Sequence, residues 1–147
     1  MSLEKNKALI RSLYEAANKQ NTALLVEFIT PDYVDHDLQL RGPEDVKQFE
    51  TTFFKSFPDL HVTIEDITAV GDKVWVRVKY EGTHKGEYRG IAPTGKKFTM
   101  TAVSIYRIVE GKVAERKSVF DALDFYKQLG VIEYTEKAKK LFPKNVK

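Results

Sequence analysis

Three histidines and a small set of acids are the groups in this 147-residue chain that could move protons. His36 stands between two carboxylates in Tyr33-Val34-Asp35-His36-Asp37. Such neighbours can orient an imidazole ring for general acid or base work. The same residues also fit a polar extended segment leading to a turn. His84 lies in Gly82-Thr83-His84-Lys85-Gly86, at the end of an expected strand and the start of a glycine-rich loop. That position suits either a ligand contact or an ordinary loop hydrogen bond. His61, beside Pro58 and Asp59, reads as solvated. Further along, period-two spacing places Val113, Glu115, Lys117, Val119 and Asp121 on one strand face. Glu115 and Asp121 could there serve as donor and acceptor of a proton. Each also has a structural use: Glu115 can pair across strands, with Arg77 for instance, and Asp121 is a favoured N-cap for the helix that follows it.

Other chemistries lack their residues. Cysteine is absent, which excludes disulfides, thiolate zinc sites and a cysteine nucleophile together. The glycines at 82, 86 and 90 sit at a strand end rather than a strand-to-helix turn, so they form no phosphate loop. No Gly-x-Ser-x-Gly elbow occurs. The histidines are not paired at metal-ligand spacing, and no metal site is expected. The net charge is +3, from 24 Lys plus Arg against 21 Asp plus Glu. Residues 133–147, with five Lys and two Glu, carry all of that excess, so the body is neutral and offers nucleic acid no basic face. No apolar run approaches the roughly 18 residues of a membrane span. The opening Met1 to Lys5 has no apolar leader, and the cytoplasm is the expected compartment.

The elements that must position these groups fall in two blocks. Residues 4–19 carry Ile10, Leu13, Tyr14 and Ala17 at helical spacing. A short helix over 22–29 should stop at Pro31. A third runs from Pro43 to Pro58 with Val46, Phe49, Phe53 and Phe57 on one side. The first third therefore reads as helical. The rest reads as strands: 60–70, then an alternating run through Val74, Val76, Val78 and Tyr80 after the Gly71-Asp72 turn, then 97–109 and 112–120. Residues 121–129 form a last helix ended by Gly130. Helices followed by hairpin-linked strands give an α+β fold with an antiparallel sheet. The strand at 97–109 is apolar on both sides and needs cover on both faces. Residues 1–132 make one domain, and 133–147 a basic tail with a short amphipathic helix through Ala138, Leu141 and Phe142.

Taken in order, Asp35-His36-Asp37, Gly82-Thr83-His84-x-Gly86-Glu87, Gly90-Ile91-Ala92-Pro93-Thr94-Gly95, Glu115 to Asp121 and Gln128-Leu129-Gly130 resemble a SnoaL-like polyketide cyclase of the nuclear transport factor two-like superfamily. The resemblance spans about residues 6–132. It implies a cone-shaped α+β barrel, with N-terminal helices packed in a strongly curved antiparallel sheet around a pocket. It also implies a homodimer through the outer sheet face, no cofactor, and ring closure of a polyketide ester by intramolecular aldol condensation. Asp121 matches the family's acid/base position, and His36 and His84 match pocket positions. Phe49, Phe53, Trp75, Arg77, Met100, Tyr106 and Glu115 are the expected substrate-binding residues, for a small apolar or keto-ester ligand. One departure stands out: the family often has Trp where this chain has Lys117, which points to a smaller or anionic substrate. A non-catalytic binder of an apolar ligand and a protein-interaction module are the alternative functions.

Overall fold

A computed structural model describes residues 2–142. Helix α1 (Leu3–Asn18) starts where the Ser2 hydroxyl accepts the Lys5 N–H, and it buries Ile10 and Tyr14 one turn apart. The expected second helix divides. α2 (Thr22–Leu25), capped by Asn21, passes through a 3-10 turn at Val26–Phe28 into strand β1 (Ile29–Asp35). Pro31 lies inside β1, where the register shifts between Ile29 and Val34, so its missing N–H costs no regular ladder bond. β1 and the two-residue β2 (Leu40–Arg41) correct the helical expectation for the first third, which named no strand there. Seven polar-rich residues are too few for their alternation to show in sequence. Gly42 then turns the corner with φ of 73°, and a Cβ there would stand 3.3 Å from the Pro31 carbonyl oxygen. With Pro43 in its first turn, α3 (Gly42–Ser56) follows.

Strands β3 (His61–Val70), β4 (Lys73–Thr83), β5 (Lys97–Val109) and β6 (Lys112–Phe120) form the expected antiparallel meander. The sheet order is β2-β1-β6-β5-β4-β3. One pairing departs from the expected antiparallel sheet: β1 runs parallel to β6. α1 lies against β3 and β4, α3 against β1 and β2, and α4 (Ala122–Leu129) against β5. Helices seated at opposite ends of the strand order can share one cavity because the sheet curves around them. It does not close, and its edges are β2 and β3.

Two amide side chains fasten helices to strand backbone. Asn18 donates to the Val62 carbonyl (2.9 Å) and accepts the Val62 N–H (2.7 Å), imitating a neighbouring strand at the β3 edge. Gln128 does the same with Thr99 of β5, at 2.8 Å for both bonds. Asp121 caps α4 by accepting the Asp124 N–H at 3.0 Å, and Gly130 ends it in the left-handed conformation. α5 (Glu136–Leu141) lies in the basic tail, and residues 143–147 of that tail fall outside the described residues. Among the described residues no helix is long and apolar enough to cross a membrane.

The inner face of β5 is covered from Phe98 to Ile108, whereas Val103, Ile105 and Val109 opposite are only partly buried or exposed. On that outer side the neighbouring Trp75 is 45 % exposed. Inside, a cluster of Ile10, Tyr14, Tyr33, Val76 and Tyr106 adjoins a second, aromatic one of Phe57, Tyr88, Phe98 and Phe125. Burying each such side chain contributes about 1.5–3 kcal/mol.

Candidate functional site

A cavity of about 150 Å³ opens between α1, α3 and the concave sheet. Its walls are apolar: Leu13 from α1, Val46, Phe49 and Phe53 from α3, Met100 and Ala102 from β5. Phe49 and Phe53 stack at 5.7 Å, and with the part-exposed Phe120 they form an aromatic lip.

The floor is polar. Arg116 projects inward from β6 and donates to Asp35 Oδ2 at 2.8 Å and to the Ser104 hydroxyl at 3.2 Å. Its guanidinium also lies 5.9 Å from the centre of the Tyr106 ring. Asp35, 1 % exposed, has its other oxygen occupied by the N–H groups of Asp37 (3.1 Å) and Leu38 (3.0 Å). The segment after β1 is stitched to β6 by His36 N–H to the Arg116 carbonyl and by Ser118 N–H to Asp37 Oδ2. The ion pair is thus held from three directions, the condition under which a buried charge is tolerated.

Four tyrosines surround it. The Tyr14 and Tyr106 hydroxyls share a hydrogen bond of 2.7 Å. Burial pushes the phenol of Tyr80 up to about 12 and those of Tyr14 and Tyr33 well above their ordinary value. All three are neutral hydrogen-bond donors at physiological pH. Glu50 completes the floor from α3. Burial pushes its carboxyl up to about 7; Arg116 draws it down and the Asp35 charge pushes it up again. Part of the side chain remains open to the cavity, and among the described residues nothing hydrogen-bonds its carboxyl.

Of the residues expected from sequence, Phe49, Phe53, Met100 and Tyr106 line this cavity. The structure does not bring the others to it. Trp75, Arg77 and Glu115 occupy the outer face of the sheet. Glu115 pairs with His36 (3.1 Å) and Arg107 (3.7 Å), while Arg77 pairs with Glu65 at 3.2 Å, correcting the expected Glu115–Arg77 bridge. The His36 hydrogen bond, together with the Arg107 charge and against a burial penalty, holds Glu115 below the usual carboxylate range. Lys117 is exposed on the same outer face, so its departure from Trp does not alter the cavity wall. Asp121 is exposed as the α4 cap and is absent from the wall. His84 is fully buried against Phe57 in the aromatic cluster, with Thr94 N–H donating to its Nδ1 at 3.2 Å.

A bulge explains the reversal on β6. Arg107 pairs with Glu115 but Ile108 pairs with Val113, leaving Ala114 extra. Val113 therefore faces inward while Glu115, Lys117 and Val119 face out, and Arg116, Ser118 and Phe120 take the cavity side. Counting by twos from Val113 selects the wrong face. Sequence reasoning thus missed Arg116 and Glu50 and treated Asp35 only as a neighbour of His36. Glu50 did carry a signal: it sits four residues after Val46 and three before Phe53, inside the apolar stripe of its helix. Among the described residues no group of three or more His, Asp or Glu is arranged to hold a metal ion.

A family model for the SnoaL-like polyketide cyclases matches residues 7–129. The chain belongs to the SnoaL-like polyketide cyclase family. The matched span runs from α1 to the end of α4 and includes Asp35, Glu50 and Arg116, whereas α5 lies beyond it. The aklanonic acid methyl ester cyclase DnrD of Streptomyces peucetius is 33% identical over 129 residues, covering 83% of this chain and 88% of its own. Among solved structures, AclR from Streptomyces galilaeus superposes with a TM-score of 0.81 at 27% identity, over 95% of this chain and 90% of that one. IdmH from Streptomyces antibioticus gives 0.73 at 32% identity, over 86% and 99%. The SnoaL-like fold of the chain, with its curved sheet around the helices, rests on these likenesses and on the strand order above.

Proposed function

We propose that this SnoaL-like protein is a cyclase that closes a ring in a keto ester by acid–base chemistry. The observation that carries the reading is the floor of the apolar cavity, where the fixed Arg116–Asp35 pair and neutral phenols meet. In an aldol ring closure a base removes a proton next to a carbonyl, and the enolate carbon attacks a second carbonyl of the same molecule. An acid then protonates the new alkoxide, so the product is an isomer of the substrate. The charge that develops on oxygen needs donors already in place, which Arg116 and the phenols of Tyr33 and Tyr80 supply without reorganising. The apolar walls fold the substrate so that its two carbonyls meet.

Substrate class follows from size and charge. A cavity of about 150 Å³ is about what encloses one benzene-sized ring; pockets that enclose drug-sized ligands run roughly 300–1,000 Å³. One ring enters, and the remainder of a larger ester lies across the lip of Phe49, Phe53 and Phe120. A carboxylate substrate is disfavoured because Asp35 already balances Arg116. The relative from S. peucetius is named for the methyl ester of aklanonic acid, and an ester, whose carboxyl group carries no charge, fits these limits. Asp121, His36 and His84, the residues expected to do the acid–base work, do not line the cavity. The exposed outer face around Trp75 is where a second copy would dock in the proposed homodimer.

Ethyl benzoylacetate, a one-ring keto ester, tests the reading in protein with ¹³C-labelled tyrosine. Binding is expected to shift the resonances of Tyr14, Tyr33, Tyr80 and Tyr106 and to weaken at least tenfold in Phe53→Trp. A tethered diketo ester should then be converted to a cyclic product of unchanged mass. Shifts without ring closure would make the protein a non-catalytic binder, and no shifts at all would remove the cavity as the site.

A further inference from the structure

We propose that Glu50 is the proton carrier of the cavity, taking the proton from the carbon next to the carbonyl and returning it to the alkoxide. The inference rests on the ring-closure reading above and adds a residue to it from outside the last strand, where the family resemblance puts the acid/base group.

The other polar groups on the cavity floor are already engaged or cannot change state. Both carboxylate oxygens of Asp35 are engaged, one by Arg116 and one by two backbone N–H groups. Arg116 keeps its proton at any relevant pH. Tyr14 is tied to Tyr106, and burial makes the phenols of Tyr14, Tyr33 and Tyr80 weaker acids than usual. Glu50 alone among these groups combines a place on the cavity wall, a carboxyl free of protein hydrogen bonds and a change of protonation near neutrality. It is held on α3, one turn from Val46 and one from Phe53, so its reach into the cavity is set by a regular helix.

The charged and titratable groups facing it are Arg116 from β6, Asp35 and Tyr33 from β1, and Tyr80 from β4. Arg116 favours the ionised form of Glu50, while burial and Asp35 favour the protonated form. That balance lets one side chain act first as base and then as acid. In the first step the C–H bond breaks, its electron pair passes to the carbonyl oxygen as an enolate, and Glu50 becomes a carboxylic acid. In the second the enolate carbon bonds to the other carbonyl carbon, whose oxygen becomes an alkoxide. In the third the alkoxide takes the proton from Glu50, which returns to carboxylate. No co-reactant is consumed.

The first step is isolated by timing deuterium uptake from heavy water at the carbon between the two carbonyls of ethyl benzoylacetate, with a protein-free blank subtracted. Wild-type protein should accelerate uptake, with a rate that rises as pH increases and levels off above about pH 7. Positioned acid–base catalysis contributes about 10²- to 10⁴-fold. Glu50→Gln should accordingly lose at least about a hundredfold of the protein-dependent rate, along with the pH break, while the tyrosine shifts report an affinity within about threefold. Glu50→Asp should recover part of the rate and the pH dependence. Bound probe whose uptake is equal in wild type and Glu50→Gln, or absent in both, overturns the role of Glu50 and leaves the cavity reading intact. A wild-type protein that does not bind the probe defeats that reading, and this inference with it.

Discussion

Two apolar clusters share the concave side of the sheet, and each buries a group that can carry a proton. In the aromatic cluster Phe57 packs against Phe98 at 5.1 Å and Phe125 at 6.1 Å, and His84 is sealed beside it at 0 % exposure. Thr94 N–H binds its Nδ1, and its backbone N–H and carbonyl pair with Lys96 and Gly95 across the loop. In the other cluster Glu50, Arg116 and the tyrosines border open space. Both regions contain residue types that suit catalysis and both contribute to the cavity wall, yet Glu50 and Arg116 line the cavity whereas His84 does not. A buried titratable side chain signals a site when it faces a void; enclosed on all sides, it serves packing and loop closure.

The largest expected effect comes from the ion pair. Arg116→Met strands the buried Asp35 charge and should cost about 3–5 kcal/mol in urea unfolding at pH 7. Adding Asp35→Asn should return part of that loss, because the uncompensated charge is gone. A cost below about 1 kcal/mol would mean that the pair is solvated, and the contrast between the two regions would collapse.

His84 and Glu50, one from each region, should respond to substitution with opposite signs. His84→Leu removes the acceptor of the Thr94 N–H and should destabilise by about 1–3 kcal/mol while leaving probe binding unchanged. Glu50→Gln should stabilise. Folding raises the Glu50 carboxyl from 4.5 to about 7, so the folded state binds its proton more tightly than the unfolded chain does. The stability this provides is fully present below pH 4.5 and is lost as pH rises through about 7. Since the group is partly open to the cavity, the gain for Glu50→Gln at pH 8 is about 1–3 kcal/mol, shrinking toward zero near pH 4. Unfolding curves of the wild type and Glu50→Gln at both pH values would sharpen the comparison. A loss at pH 8 would show that Glu50 is part of the packing, as His84 is.

The smallest effect belongs to Asp121. As an exposed N-cap, its replacement by Ala should cost about 1 kcal/mol and by Asn only a few tenths, read as a shift in thermal midpoint. A carboxyl lining the cavity would not show that ranking.

The helix stripe of Val46, Phe49 and Phe53, the Gly71 hairpin, the last two strands and the cap at Asp121 were all legible, because each depends on residues within a turn or a hairpin of one another. Phe49, Phe53, Met100 and Tyr106, four of the residues expected to bind substrate, lie on those elements and line the cavity. Trp75, Arg77 and Glu115 did not reach the cavity, since face assignment on a strand needs an anchor as well as a period. On β6 that anchor is displaced by the bulge at Ala114. The parallel seam of β1 with β6 left no local trace either, as its partners lie about eighty residues apart.

By itself the sequence determined most of the element types, β1 and β2 excepted, together with the α+β class and the family to which the chain belongs. All of these are written in local periodicity, capping residues and motif order. Only the tertiary structure decided that Asp35, Glu50 and Arg116, from a strand, a helix and a strand far apart in the chain, converge on one cavity. Pairing register and curvature carried them there, and a single extra residue in β6 chose which of its faces the cavity would see.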